Sequence, residues 1–379
     1  MNIPKLRFKD NNGNDYPQWE KKLIKDILKI YHGKDYKNEP NEKKLYPVLG
    51  TGGIITYIDK FLCDWECVLI GRKGTINKPQ YMKTPFWSVD TLFYSKPKLK
   101  QNPKFQYYLF QNINWKIYDE STGVPSLSAS TIEHINRFIP TYAEQEKIAS
   151  FFSTIDKKIE NLTNTITSLE NQKKGLLQQI FSQKLRFKDK NGNNYPNWEK
   201  KKLGDIGDII TGKTPETNKI EYWNGNILFV TPTDIKDNKY QLITQRYVNE
   251  CIKIRILPIN TIMFTCIGAT IGKIAISKKR CITNQQINSI IPQKDIYNEY
   301  IYYNLLKLVP KIRSSKSTTT LPIINKTEFS KIKIDIPCLE EQTKIADFLS
   351  AFDRKLDNQK AQLEHWQQIK KGLLQQMFV

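Results

Sequence analysis

The stretch EQEKIASFFSTIDKKIENLTNTITSLENQKKGLLQQIF at residues 144–181 returns as EQTKIADFLSAFDRKLDNQKAQLEHWQQIKKGLLQQMF at residues 341–378, an offset of 197. Each copy carries a seam of mostly apolar residues that recurs in steps of four and three. That repeat keeps one edge of a helix against a partner helix. Two matched amphipathic helices in one chain therefore predict a pair that packs together, and an antiparallel pair is the simplest arrangement.

The two seams align residue by residue. The first consists of Ile148, Phe152, Ile155, Ile159, Leu162, Ile166, Leu169, Lys173, Leu176 and Ile180. The second consists of Ile345, Leu349, Phe352, Leu356, Gln359, Leu363, Trp366, Lys370, Leu373 and Met377. A lysine in a helix seam is costly unless it is paired or reaches solvent. In an antiparallel pair, Lys173 would lie near the start of the other helix, so we expect Glu340, Glu341 or Asp347 as its partner.

The internal repeat extends beyond the helices. KLRFKDNNGNDYPQWEKKL at residues 5–23 recurs as KLRFKDKNGNNYPNWEKKKL at residues 184–203, and residues 122–140 align with residues 319–337. Each half thus has a lead segment, a lobe, a strand that ends at proline and a long helix. Short β-branched and aromatic runs predict strands at residues 67–70, 227–230, 261–266 and 274–276. Short helices are expected at residues 105–111 and 299–308, which makes each lobe a mixed α/β domain.

Composition and charge restrict the class of protein. The chain has 379 residues, of which 39% are hydrophobic and 26% charged, as in a globular protein of two or three domains. We expect an intracellular, cytoplasmic protein that does not bind a membrane, because no apolar run is long enough for a span and no signal core is present. The net charge of +21 is confined to the lobes, with +8 in residues 1–142 and +13 in residues 184–339. Two basic lobes favour a polyanion, and nucleic acid first.

The sequence is better explained without an active site. The Asn/Asp-Pro-Pro-aromatic motif of DNA amino-methyltransferases does not occur, and no glycine-rich loop suits S-adenosylmethionine. Three scattered histidines and six cysteines without a CxxC pair favour neither a catalytic triad nor a metal site. A formal phosphate-loop match runs from Gly207 to Thr214, but Pro215 follows at once and no amphipathic helix comes after it. A tight turn that presents Lys213 and Thr214 to DNA, or a purely structural turn, explains this match better.

Candidate DNA-binding residues come from loops that combine glycine with basic, hydroxyl and amide side chains. Glycine lets backbone N–H groups approach phosphates, and amides can pair with adenine edges. The same patterns also occur in hairpin turns and solvated loops, and the basic run at residues 311–320 suits a surface loop as well as a phosphate contact. We predict contacts from Arg72, Lys73, Gly74, Thr75, Lys213, Thr214, Gly268, Thr270, Lys273, Asn284, Gln285, Gln286, Arg313 and Lys316.

The whole arrangement resembles the specificity subunit of type I restriction–modification systems. The similarity lies in the paired P-x-x-x-E-Q-x-K-I-A-x-F motifs at residues 140–151 and 337–348, and in GKTP, GATIGK, TNQQIN, IGRKGTI and SVDTLFY within the lobes. It implies an α+β protein with a pseudo-twofold internal repeat. Two target recognition domains, residues 1–142 and 184–339, would be joined by an antiparallel coiled coil of two spacer helices, residues 143–183 and 340–379.

The resemblance also implies a function without chemistry in this chain. Each lobe would read one half of an interrupted double-stranded DNA target. Two methyltransferase subunits and the restriction subunits would bring S-adenosylmethionine, ATP and Mg²⁺, while this chain would bind no cofactor. A helix of 38 residues would span ~57 Å at about 1.5 Å per residue, a length comparable to ~17 base pairs.

Two alternatives remain open at this stage. The chain could be a stand-alone sequence-specific or architectural DNA-binding protein, which would not co-purify with a methyltransferase subunit. It could also be an ATP-dependent enzyme built on the Gly207 match, which would bind ATP in a manner that depends on Lys213.

Overall fold

The computed structural model describes residues 4–316 and 323–378, and its chain forms two compact units. The first unit contains Met1–Asn164 and Gln359–Val379, and the second contains Thr165–Asn358. Each unit therefore combines one lobe with part of both long helices. The compact units divide the chain within the two long helices, at residues 164/165 and 358/359. The predicted domain boundaries at residues 142, 183 and 339 therefore stay a prediction.

The described residues of the first unit form short strands, three short helices and parts of the two long helices. Its strands are β1 (Glu20–Leu23), β2 (Leu28–His32), β3 (Tyr46–Gly50), β4 (Gly53–Ile58), β5 (Cys67–Gly71), β6 (Gln80–Met82), β7 (Trp87–Ser88), β8 (Leu92–Pro97) and β9 (Asn136–Ile139). Its helices are α1 (Ile24–Ile27), α2 (Pro103–Asn112), α3 (Ala129–Glu133) and α4 (Tyr142–Phe181). A single turn of 3₁₀ helix spans Trp115–Tyr118.

The second unit repeats this order with one extra strand. Its strands are β10 (Glu199–Lys202), β11 (Gly207–Thr211), β12 (Trp223–Val230), β13 (Tyr240–Gln241), β14 (Arg246–Val248), β15 (Ile262–Thr265), β16 (Ile274–Ser277), β17 (Cys281–Thr283), β18 (Ile287–Pro292) and β19 (Lys333–Ile336). Its helices are α5 (Leu203–Ile206), α6 (Asn298–Lys316), α7 (Lys326–Ser330) and α8 (Leu339–Met377). Two 3₁₀ turns span Ile220–Tyr222 and Gly268–Thr270.

The two lobes share one sheet topology. The first has a four-stranded sheet in the order β2-β8-β5-β6 and a three-stranded sheet in the order β4-β3-β7. The second has a five-stranded sheet, β11-β18-β15-β16-β13, and a three-stranded sheet, β14-β12-β17. In both three-stranded sheets the central strand pairs antiparallel on one side and parallel on the other. The internal repeat seen in the sequence is therefore a repeat of the fold.

The long helices pack against each other in antiparallel fashion within each unit. In the first unit, Phe152 of α4 lies with its ring centroid 6.2 Å from that of Phe378, directly after α8. In the second unit, the end of α4 shares a core with the start of α8 through Ile180 and Leu349. Every seam residue of both helices is buried or half-buried. The prediction of an antiparallel coiled coil in an α+β protein with an internal repeat is confirmed.

The strands predicted from β-branched runs are also confirmed, whereas β1 and β10 were not foreseen. Their sequences, EKKL and EKKK, are lysine-rich, and their side chains are exposed or half-buried. Each pairs antiparallel with the strand that ends at proline, β9 or β19. The predicted helices at residues 105–111 and 299–308 are present as α2 and α6, which is longer than expected and includes residues 311–316.

The E-Q pair of the repeated motif ties the lead segment to the long helix. The Glu144 side chain is fully buried and accepts two bonds from the Arg7 guanidinium, at 3.0 and 2.8 Å, and one from Trp19 Nε1 at 3.0 Å. Glu341 accepts the same three bonds from Arg186 and Trp198. We call each set a clasp. A carboxylate with three charge-assisted or indole donors is satisfied despite its burial.

The glutamine of the same motif joins the lobe to the helix start. Gln145 Nε2 donates to the Pro140 carbonyl at 3.0 Å, and its Oε1 accepts the N–H of Asn102, the residue that caps α2. Gln342 makes the corresponding bonds to the Pro337 carbonyl and to the Tyr297 N–H. The E-Q spacing therefore reflects packing requirements that are met in the same way in both units.

The hypothesis that Lys173 pairs with Glu340, Glu341 or Asp347 is wrong. Lys173 Nζ forms its ion pair with Asp353, about four helical turns into α8. Glu341 is already engaged by Arg186. The register of the helix pair places the start of α8 beyond the reach of Lys173.

Within the part of the chain that the structure describes, no helix is both long and apolar enough to cross a membrane.

Candidate nucleic-acid interface

In the second lobe, strand β11 ends against the turn that follows β17. A Cβ at Gly212 would lie 2.2 Å from the carbonyl oxygen of Asn284, so only glycine permits this approach of the two backbones. Lys213 follows with an exposed side chain, and Thr214 Oγ1 donates to Gln285 Oε1 at 2.8 Å. Two predicted segments, residues 213–214 and 284–286, are thus neighbours.

The three amides of this turn have different environments. Asn284 is buried, its Oδ1 accepts the Gln286 N–H at 3.1 Å and its Nδ2 donates to Gln286 Oε1 at 3.0 Å. Asn284 therefore shapes the turn from within. Gln285 is exposed and Gln286 is half-buried, so Gln285 offers the most accessible amide to a base edge.

The loop between β15 and β16 lies on the other side of the same turn. The N–H of Cys266 donates to the Gln286 carbonyl at 2.8 Å. Gly268 has a φ of +70°, a left-handed conformation that favours glycine and starts the 3₁₀ turn. Thr270 Oγ1 donates to the Ile267 carbonyl, and Lys273 Nζ donates to the Pro232 carbonyl at 3.0 Å, just past the end of β12.

Helix α6 brings Arg313 to this loop. Arg313 Nε donates to the Ile271 carbonyl at 2.9 Å, while the side chain remains exposed. Lys316 is the last residue of α6, and its side chain lies outside what the structure describes, as do residues 317–320 of the basic run. Arg313 is therefore attached to the loop before β16, and this loop in turn contacts the turn at residues 284–286.

The predicted residues of the first lobe lie in the loop that leaves β5. Arg72 and Lys73 donate their N–H groups to the Thr91 carbonyl at 2.8 and 3.2 Å, and Gly74 donates its own to the Pro125 carbonyl. Gly74 has a φ of +85°, and Thr75 completes the loop before the buried Ile76. The Lys73 side chain is exposed, whereas Arg72 is half-buried and donates to the Asp90 carbonyl.

Sequence reasoning missed the first-lobe counterpart of the Gly212 contact. A Cβ at Gly33 would lie 2.0 Å from the carbonyl oxygen of Val89, and Lys34 follows with an exposed side chain. The signal was available, because residues 33–34 and 212–213 are both Gly-Lys and are separated by the 179-residue offset of the lead segments. Asp90 and Thr91 occupy the turn positions of Gln285 and Gln286. The backbone frame is shared, and the side chains that it exposes differ.

A cavity next to the second-lobe turn adds two further cations. Its volume is about 240 Å³, and its walls include Lys213, Lys253, Arg255 and the hydroxyl-bearing Thr211 and Thr283. Lys253 and Arg255 are exposed. They escaped prediction because they stand singly in an otherwise apolar stretch, CIKIRIL.

The phosphate-loop match has no phosphate-binding geometry. Residues Gly207–Thr211 form strand β11, which pairs with β18 along its whole length. These residues are therefore extended strand and do not form a loop around a phosphate, and no helix begins at Lys213 to receive one. Among the described residues, no group of three or more His, Cys, Asp or Glu side chains is arranged to hold a metal ion.

The profile of the type I restriction–modification DNA specificity domain matches this chain twice, at residues 16–171 and 195–365. Because the two matches cover most of the sequence, the chain belongs to the type I restriction–modification DNA specificity family.

Curated relatives are also specificity subunits. The chain is 35% identical over 210 residues to the type I restriction enzyme MjaIX specificity subunit of Methanocaldococcus jannaschii, an alignment that covers 52% of this chain and 48% of the relative. It is 29% identical to the Escherichia coli EcoR124I/EcoR124II specificity subunit, over 57% of this chain and 55% of the relative. The chain thus spans about half the length of these relatives. The putative MjaX specificity subunit of M. jannaschii aligns over 97% of this chain and 94% of its own length, at 24% identity.

Solved structures support the fold. The type I restriction–modification S subunit from M. genitalium superposes with a TM-score of 0.68 at 18% identity, covering 100% of this chain and 99% of the other. A chain from a study of complex assembly and conformational transition in the type I system superposes with a TM-score of 0.58 at 15% identity, covering 95% of this chain and 97% of the other.

Proposed function

We propose that this chain is the non-catalytic specificity subunit of a type I restriction–modification complex. Each lobe reads one half of an interrupted double-stranded DNA target, and the subunit directs its partners to that target. The observation that carries the proposal is that a Gly-Lys pair packs against an equivalent turn in each lobe. Gly33–Lys34 and Gly212–Lys213 pack against turns that expose Asp90 in one lobe and Gln285 in the other. A conserved frame with different exposed side chains suits two different half-sites.

Charge supports DNA as the ligand. The lobes carry the whole net charge of +21, whereas the two long helices are neutral. Exposed lysines beside the turns, Lys34, Lys73 and Lys213, can contact phosphates and position the turn against base edges.

The partners follow from the family. We propose that two methyltransferase subunits, and restriction subunits in the full complex, assemble with this chain and carry S-adenosylmethionine, ATP and Mg²⁺. A stand-alone DNA-binding protein is the alternative. Co-expression with the methyltransferase subunit followed by gel filtration distinguishes the two proposals, because only a specificity subunit elutes with it.

The continuous helix α4 suggests how the target spacing is set. It contributes to both compact units without interruption over its 40 residues. We propose that its length determines the number of base pairs between the two half-sites, so that an insertion of four or seven residues into α4 changes that number.

A salt titration tests the DNA-binding part of the proposal. We expect Lys34→Ala and Lys213→Ala each to reduce the slope of log affinity against log salt by about 0.9, the value for one lost phosphate contact. Affinity would be measured by fluorescence anisotropy on duplex DNA, with the chain in complex with its methyltransferase partner.

Lys278→Ala is the matched control for this titration. Lys278 is exposed and follows β16 at the end opposite Lys273, away from the turn. The proposal is contradicted if Lys278→Ala reduces the slope while Lys34→Ala and Lys213→Ala leave it unchanged.

A further inference from the structure

Arg246 starts strand β14 at the end of the three-stranded sheet where the second-lobe turn lies. Strands β12 and β17 are parallel, and their last residues, Val230 and Thr283, are paired. Strand β14 runs antiparallel to β12 and places Arg246 opposite Phe229. Since the turn at residues 284–286 follows β17 directly, Arg246 and the turn lie at the same end of the three-stranded sheet, on the two strands that flank β12.

The guanidinium of Arg246 is held over an aromatic ring. Its Cζ lies 3.6 Å from the centroid of the Trp223 ring and 5.6 Å from that of Phe229. Trp223 is itself fixed, because it is 9% exposed and its Nε1 donates to the Glu216 carbonyl at 3.2 Å. A cation stacked on a buried indole is restricted in its rotamers, and the edge of its planar fork remains free to donate.

Unlike Arg255 and Arg280 of the same lobe, Arg246 has no acidic partner among the described residues. Arg255 pairs with Asp208 and Arg280 with Glu250, each at 2.6 Å. Within residues 4–316 and 323–378, Arg246 forms no ion pair and its guanidinium donates no hydrogen bond, and the residue is exposed. Its N–H donors are therefore available to a ligand.

We propose that Arg246 binds a pair of neighbouring acceptor atoms in the second DNA half-site. Two such pairs exist on a duplex, the O6 and N7 atoms of a guanine and two oxygens of one phosphate. The planar fork of arginine donates to both atoms of such a pair at once in a fixed geometry, whereas a lysine acts as a flexible point charge. This inference rests on the proposed function and adds to it a residue that no loop motif indicates.

Substitutions at Arg246 test the inference in the complex with the methyltransferase subunit. Arg246→Lys keeps the charge and removes the fork, and Arg246→Ala removes both. If the acceptor is a guanine, Arg246→Lys lowers discrimination at one G·C pair of one half-site by about tenfold or more, whereas the other half-site is read as before. If the acceptor is a phosphate, Arg246→Lys retains part of the affinity, and Arg246→Ala lowers affinity for all duplexes and reduces the salt slope by about 0.9.

Arg280→Lys is the control, because Arg280 is exposed, already paired and placed at the opposite end of β17. Affinities for the cognate duplex and for single-substitution duplexes would be measured at several salt concentrations. If the wild-type complex binds its target and both Arg246 variants match it in affinity, base preference and salt slope, the inference is wrong. If the wild-type complex has no two-part target at all, the proposed function is wrong instead.

Discussion

The two units join lobe to helices through four equivalent residues each, and they differ at a neighbouring position one helical turn before the tyrosine. We call these sites the junctions. The first junction consists of Tyr108, Ser153, Asp156 and Lys370. The second junction consists of Tyr303, Ser350, Asp353 and Lys173. One helical turn before the tyrosine, α2 carries Lys104 whereas α6 carries Glu299.

In the second junction Glu299 creates a balanced network. It accepts bonds from Lys239 at 3.0 Å, from Ser350 at 2.7 Å and from Tyr240. Burial opposes its ionisation, but the bonds from Tyr240, Ser350 and Lys239 outweigh burial and lower the pKa of Glu299. Two ammonium groups, Lys173 and Lys239, thus face the carboxylates of Glu299 and Asp353.

The first junction has a surplus of positive charge. Asp156 accepts bonds from Tyr108 and from Lys370, both at 2.7 Å. Lys104 lies over the Tyr81 ring, with Nζ 4.0 Å from the centroid. Burial lowers the pKa of Lys104, as does the nearby Lys370, although Asp156 opposes the shift. The comparison shows that the same fold accommodates a lysine or a glutamate at this position. The glutamate is stabilised by its partners, whereas the lysine is destabilised by burial and by Lys370.

The clasps are built alike in the two units. Substitutions in either clasp should therefore lower stability by similar amounts, and by more than substitutions at or beside the junctions. We expect Glu144→Ala and Glu341→Ala each to reduce the free energy of unfolding by about 3–5 kcal/mol, because an arginine and an indole N–H lose a buried carboxylate. Urea denaturation followed by circular dichroism measures both. Glu160→Ala, on the exposed face of α4, should change stability by less than about 0.5 kcal/mol. A large loss at only one clasp would show that the units are not equivalent.

Substitutions of the two junction carboxylates should lower stability by different amounts in the two units. Asp353 accepts bonds from Lys173 and Tyr303 and lies 3.9 Å from Lys239, whereas Asp156 has two partners and a more exposed side chain, 27% against 15%. We expect Asp353→Asn to cost about 3 kcal/mol and Asp156→Asn about 1–2 kcal/mol. Equal losses in urea denaturation would remove the distinction between the junctions.

Substitutions at the position that differs, Lys104 in α2 and Glu299 in α6, should change stability in opposite directions. Glu299→Gln leaves the buried Lys239 without its closest carboxylate and should destabilise the protein by about 2 kcal/mol. Lys104→Met removes a partly desolvated ammonium and keeps the apolar stem, so stability should stay the same or rise slightly. Thermal unfolding at neutral pH compares the two variants, and a clear loss for Lys104→Met would contradict this interpretation.

The same two variants should differ in their pH dependence. Because folding lowers the pKa of Glu299, its carboxylate stabilises the folded protein fully at pH above the ordinary pKa of a glutamate. This stabilisation is lost as the pH falls through the pKa of Glu299 in the folded protein. The loss of stability in Glu299→Gln relative to wild type should therefore become smaller at acidic pH. Because folding lowers the pKa of Lys104, its charged ammonium group destabilises the folded protein near neutral pH. This destabilisation is relieved as the pH rises towards 10.5, the ordinary pKa of a lysine. The difference between Lys104→Met and wild type should therefore shrink in alkali.

The repeated features could be predicted from the sequence, and the features that depend on register could not. The seam required a partner helix, and the second copy supplied it within the chain. The partner of Lys173 was missed because the register of an antiparallel pair depends on the whole lobe between the helices. Strand β1 was missed because its lysines are exposed and its pairing with β9 joins distant segments.

The candidate interface shows the same limit. Glycine and amide motifs located the turns around Gly268 and Gln285, because those residue types act locally. Lys34 needed the internal alignment, and Arg246 needed the ring of Trp223, which no local pattern reveals. The placement of the candidate residues agrees with a DNA-binding role, and their contacts with DNA remain a prediction.

The most direct test of bipartite recognition is to map the methylated sequence that the complex produces after changing one turn at a time. The matched variants are Asp90→Ala with Thr91→Ala in the first lobe, and Gln285→Ala with Gln286→Ala in the second. We expect each double variant to relax or change one half of a two-part target, a different half for each lobe, with the spacer unchanged. Variants of the two lobes that alter the same half, or a methylated sequence without two parts, would contradict the proposal that each lobe reads its own half-site.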